Sequence, residues 1–159
     1  MAGQLFTIDF KASLTKLFNQ AVQLHVSGNV CAATQAYERI LTVLPTDAQV
    51  LDLYGTALYQ LGSAAAGRPY LVASLRQRPL HGPVWNHLGV IDRALHDDNA
   101  ADIAFRRSTL LDPGQVEPLV NLAATAGDRG DPESGLLLNR RSRMASPESS
   151  DVALRQGVL

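Results

Sequence analysis

Cysteine is nearly missing from this sequence: Cys31 stands alone among 159 residues. A single thiol excludes an internal disulfide framework and a multi-cysteine metal site. Long apolar runs are missing too, since none approaches the ~20 residues that cross a bilayer. Net charge is small: 14 basic residues against 15 acidic leave −1, with no general drive toward nucleic acid or an anionic membrane. The segment from Met1 to Lys11 lacks the basic flank and apolar centre of a signal peptide, so a cytoplasmic location is expected. No Gly-rich phosphate loop, serine elbow or pair of catalytic carboxylates stands out. Neither catalysis nor a cofactor is expected of this chain.

What the sequence does have is enough apolar material to bury a core, with 46% hydrophobic and 18% charged residues. It also has a period. Pro45, Pro79, Pro113 and Pro147 are spaced 34 apart, and other residues keep the phase. Leu17, Leu51, Trp85 and Leu119 recur, each followed four residues later by a small residue: Ala21, Gly55, Gly89 and Ala123. A turn glycine recurs as Gly28, Gly62 and Gly130, with His96 in the third copy. Tyr37, Leu71 and Phe105 recur as large apolar residues, and Asn139 breaks that series. Each unit reads as two helices. The first has apolar or small residues at helical spacing, glycine turns the chain, and proline stops the second helix. The units are 14–47, 48–81, 82–115 and 116–149, with 1–13 as an N-terminal extension and 150–159 as a partial fifth unit or capping helix.

These residues resemble the tetratricopeptide repeat family. The third unit carries the signature best, through Trp85, Leu88, Gly89, Ala101, Phe105 and Pro113, while Asp92 stands where an aromatic is usual. The resemblance spans the four units. It implies an all-α, right-handed helical-repeat solenoid of four 34-residue helix-turn-helix units plus a partial terminal helix. Pro69 interrupts the second helix of unit two, so a late start is expected there, with Pro69 in its first turn. Asn139 and Ser142 occupy slots that are normally apolar, so the fourth unit should pack less firmly.

In this family the first helices line a concave groove that takes peptides or helices, which implies a protein or peptide partner. By phase the lining is Phe18, Val22 and His25, then Asp52, Thr56 and Tyr59, then Asn86, Val90 and Arg93, then Val120, Ala124 and Gly127. The four-then-three spacing keeps each set on one helix face. The clamp by which some members hold the acidic C-terminal tails of chaperones would use the slots of Phe18, Val22, Leu53, Pro83 and His87. Those residues lack its cations, so chaperone tails are not expected partners. The asparagine ladder of protein O-glycosyltransferases would use Asn19, Leu53, His87 and Asn121. With two of four filled, the alternative reading is an acceptor-recognition segment of a larger modifying enzyme. The apolar end of the unfinished fifth unit offers a surface on which a second copy could stack. Val90 is expected to face out of the core and Trp85 to be a large core side chain.

Other features are read as structural. His25, His81, His87 and His96 have no paired metal-ligand spacing, and no metal is expected. Asp97-Asp98-Asn99 lacks the spaced carboxylates of a calcium loop and should cap a helix. Arg129-Gly130-Asp131 sits on the required turn. Arg140, Arg141 and Arg143 fall near a helix end, where cations offset the dipole. Cys31 is expected to pack as a small thiol among alanines.

Overall fold

The structure is a computed structural model that describes residues 2–145, with side chains from Lys11 onward. Pro147 and the restarted pattern at 150–159 lie outside the described residues. Among the described residues there are eight helices and no strand. They are α1 (Ala2–Val26), α2 (Val30–Val43), α3 (Ala48–Gln60), α4 (Ala64–Gln77), α5 (Gly82–Ala94), α6 (Asp98–Leu111), α7 (Glu117–Asp128) and α8 (Pro132–Ala145). Residues 2–13, read from the sequence as an extension, are the opening turns of α1. The chain divides after Pro79 into two compact units. Unit 1 contains α1–α4 and unit 2 contains α5–α8.

One turn is used four times. Each first helix ends with two backbone bonds, a 6→1 and a shorter one. In the first copy Asn29 N–H donates to the Leu24 carbonyl and Gly28 N–H to that of His25. The pairs Ser63–Leu58, Asp97–Asp92 and Asp131–Ala126 repeat the long bond at 2.9 Å. The geometry demands positive φ at one residue, met by Gly28 (84°), Gly62 (81°) and Gly130 (74°), but by His96 (61°) in the third copy. The next residue then caps the second helix. Asn29, Asp97 and Asp131 accept from the amides of Ala32, Ala100 and Ser134. The Ser134 hydroxyl and amide hold the Asp131 carboxyl below the usual range. Asp97-Asp98-Asn99 and Arg129-Gly130-Asp131 are therefore turn and cap residues.

Small residues set how closely the helices of a pair approach. Ala21 and Ala33 are fully buried in unit 1. A Cβ on Gly55 would lie 2.8 Å from the Gly67 carbonyl oxygen. In unit 2 a Cβ on Gly89 would lie 2.5 Å from the Phe105 ring, and one on Gly135 would lie 3.3 Å from the Ala123 carbonyl. Around these crossings unit 1 buries Tyr37, Ile40, Val50 and Ala57, and unit 2 buries Ala101, Phe105 and Leu122.

Two expectations need correction, and a third holds with a different role for one residue. Helix α4 does not start late: it begins at Ala64, with Pro69 inside it. The Ser63 carbonyl accepts from Ala66 and Gly67, so the first turn closes normally. The amide that Pro69 lacks would have met the carbonyl of Ala65, and both residues are exposed, where water can satisfy that oxygen. Cys31 is exposed rather than packed, because the first turn of α2 points it to solvent. The fourth unit does pack less firmly, since α8 buries Gly135 and Ser142 while Asn139 is exposed, but Ser142 itself is not the cause. Its slot holds Ile40, Ser74, Ser108 and Ser142 in the four copies, all buried. Ser74 Oγ donates to the Ala48 carbonyl at 2.6 Å and Ser108 Oγ to that of Gly82 at 2.8 Å, each tying a second helix to the start of its first. Ser142 Oγ instead donates to Asn139 in its own helix at 2.8 Å.

Candidate interaction faces on the first helices

In unit 1 the expected lining residues fall on α1 and α3, and several are committed to packing. Phe18 is half-buried against the core. With Leu14, Ile40, Leu44 and Val50 it lines a recess of about 440 Å³, which Lys11 and Asp47 also line. Val22 and Tyr59 are half-buried, Asn19 is exposed, and Asp52 is buried. No group among the described residues pairs with the buried Oγ1 of Thr56. Leu53, the second ladder slot, packs against the core.

His25 is a joint rather than a free contact point. Its Nε2 lies 2.9 Å from Gln60 Oε1 and its Nδ1 3.2 Å from the Tyr37 hydroxyl. An amide oxygen can only accept, so Nε2 carries the proton in the neutral ring and Nδ1 accepts from Tyr37. The relay links α2, α1 and α3. Tyr37 is fully buried, and burial pushes its hydroxyl pKa up to about 12.

In unit 2 the corresponding faces belong to α5 and α7. Asn121 Nδ2 donates to Asn86 Oδ1 at 3.0 Å. Both are half-buried, as are His87 and Arg93. Along α7, Val120 is 46% exposed, and Ala124 and Gly127 are exposed. Val90 differs from its expectation. It is half-buried and packs on the cluster of Ala101, Phe105 and Leu122, because α5 turns that edge of its face toward α6 and α7. Trp85 also differs. It is half-buried, not a fully buried core residue, and the Arg107 guanidinium sits 4.6 Å from its ring centroid. The buried large side chains of α5 and α6 are Val84, Leu88, Ile91 and Phe105.

The two bonds between successive first helices share a signature that sequence reading did not find. His25–Gln60 and Asn86–Asn121 each join residues 35 apart, one more than the repeat. A polar residue on one first helix meets its neighbour one step along the next. The visible signal was a pair of hydrogen-bonding side chains at spacing 35, which a search at 34 passes over. Among the described residues no group of three or more His, Cys, Asp or Glu could hold a metal ion. No described helix is long and apolar enough to cross a membrane.

No family model matches the chain, and no curated protein matches it in sequence. Solved structures do match. A crystal structure of MamA superposes with TM-score 0.79 at 12% identity, covering 87% of this chain and 81% of that one. MamA from Desulfovibrio magneticus RS-1 gives 0.78 at 15%, covering 84% and 76%. MamA MSR-1 gives 0.72 at 20%, covering 86% and 78%. The chain thus has the all-helical repeat fold of the MamA structures.

Proposed function

We propose that this chain is a non-catalytic protein-interaction module that holds a peptide or helix of a partner protein against its first helices. The observation that carries this reading is the Asn86–Asn121 pair. Their mutual bond uses Asn86 Oδ1 and Asn121 Nδ2. It leaves Asn86 Nδ2 as a donor and Asn121 Oδ1 as an acceptor, with no partner among the described residues. A neighbouring donor and acceptor match the two polar groups of a peptide unit. Val120 and Ala124 beside them supply exposed apolar surface. An amide pair within an apolar strip suits recognition of a backbone with some apolar side chains.

The test is affinity capture from a lysate of the source organism, comparing the native chain with Val120→Asp and Asn86→Ala by mass spectrometry. Val120 is altered rather than Val90, because Val90 packs on the core cluster. A dominant partner lost in both variants is the expected result, with helicity unchanged and Tm lowered by no more than about 3 °C in Asn86→Ala. The same partners in all three samples would remove this face from consideration.

A further inference from the structure

The second helices of unit 2 carry a surface pattern that the fold does not require. On α6, Ile103, Arg106, Arg107 and Leu110 recur 34 residues later on α8 as Leu137, Arg140, Arg141 and Met144. The two arginines of each set are followed directly by the buried serine described above. The apolar members are exposed: Ile103 by 63%, Leu110 by 79%, Leu137 by 67% and Met144 by 74%. The same slots hold Gln35, Glu38, Arg39 and Thr42 on α2, and Pro69, Val72, Ala73 and Arg76 on α4. The helix pair forms there without the pattern, so exposed apolar residues around paired arginines are particular to unit 2.

Between the two stripes lies a recess of about 190 Å³, lined by Arg106, Thr109 and Leu110 of α6, Leu119 and Leu122 of α7, and Leu138 and Arg141 of α8. Its lining is mainly leucine, and each second helix contributes one arginine. Arg106 is held by Asp102, through Nε to Oδ2 at 2.6 Å and Nη2 to Oδ1 at 3.4 Å. Among the described residues, Arg140, Arg141 and Arg143 are in no ion pair, and all three are exposed. Of the two arginines that line the recess, Arg141 on α8 is therefore the one without an ion pair among the described residues. A cavity of about 150 Å³ accepts a benzene ring, so the recess suits a single leucine or phenylalanine side chain.

We infer that this recess receives one large apolar side chain from a partner protein segment that carries carboxylates beside that residue. The charge of α8 selects an acidic partner, and the concavity selects an inserted side chain. A lipid surface would engage the protruding side chains and leave a recess unused. The recess takes the buried Leu119 and Leu122 from α7, whereas Val120 is exposed and is not among its lining residues, so Val120→Asp should not affect it.

The experiment is fluorescence anisotropy of the full chain with a labelled helical peptide of glutamate and alanine bearing one central phenylalanine. Saturable binding is expected. Replacing the phenylalanine of the peptide with alanine, or Arg141→Glu in the protein, should each weaken it about tenfold. Arg39→Glu makes the same charge change at the same slot on α2 and should leave affinity unchanged. Circular dichroism should show equal helicity for both variants. An equal loss with Arg39→Glu would reduce the effect to general charge. Indifference to the phenylalanine would remove the recess from the interaction. No binding at millimolar peptide, or binding only to phosphatidylserine vesicles, would overturn the proposal.

Discussion

Ser108 Oγ donates to the carbonyl oxygen of Gly82 at 2.8 Å, a buried bond between the last turn of α6 and the first residue of α5. The bond fixes where the second helix of the pair ends relative to the start of the first. Ser108→Ala should cost about 1 kcal/mol, the usual net worth of one such bond. Ser142→Ala should cost clearly less, because Ser142 bonds within its own helix. Urea midpoints for the two variants, with unchanged slopes, would check the difference. Equal losses would mean that filling the slot matters and the bond does not.

The serine slot also shows what the sequence could and could not convey. The 34-residue phase located the turns, because Gly28, Gly62 and Gly130 satisfy a local backbone need that only a few residues can meet. It located the small crossing residues for the same reason: Gly55 and Gly89 face backbone or ring at distances that exclude a side chain. It could not say what replaces an apolar residue when a hydrogen bond does the job, as at Ser74 and Ser108. Nor could phase separate a face that meets solvent from one that meets the next helix. Val90 and His25 lie on the expected side of their helices, yet Val90 supports the Phe105 cluster and His25 is shared between Tyr37 and Gln60. Those contacts depend on how one first helix lies against the next, and a single helix period contains no record of it.

Gly89 and Gly127 should respond differently to the same substitution. A methyl at Gly89 meets the fully buried Phe105 ring at 2.5 Å. Overpacking of this kind costs about 1–3 kcal/mol, against about 1 kcal/mol gained from the helix propensity of alanine. Gly89→Ala should therefore lower Tm or at best leave it unchanged. At Gly127 an added methyl has nothing within 4 Å, so the propensity gain is unopposed and Gly127→Ala should raise Tm. Thermal melts of both variants decide this, and stabilisation by Gly89→Ala would show that the ring can move aside.

His96 is in the left-handed region at φ 61°, where the other three copies use glycine. A side chain there costs roughly 1–2 kcal/mol, part of which returns as unfolded-state entropy when glycine replaces it. His96→Gly should stabilise the chain by about 1 kcal/mol, raising Tm by about 3 °C. The Asp97 cap of α6 depends on its own side chain and should persist. A lower Tm would mean that the imidazole makes a contact worth more than the strain it imposes.

Tyr37 should make stability fall at alkaline pH. Its hydroxyl titrates at about 12 in the folded chain and near 10.0 when exposed. The folded state thus holds the proton more tightly, and the unfolded state loses it first as pH rises. The stabilisation is complete below about pH 10, and it disappears between pH 10 and 12 as deprotonation opposes burial. Tyr37→Phe removes the titrating group and the bond to His25 together. At neutral pH the variant should be less stable by about 1 kcal/mol, since His25 loses the donor to Nδ1 while Nε2 keeps Gln60. Above pH 10 it should lack the part of the decline that belongs to Tyr37, so the two stability curves converge. Guanidinium titrations at pH 7, 9.5 and 11 would show this, and parallel curves would mean that the Tyr37 hydroxyl ionises as readily folded as unfolded.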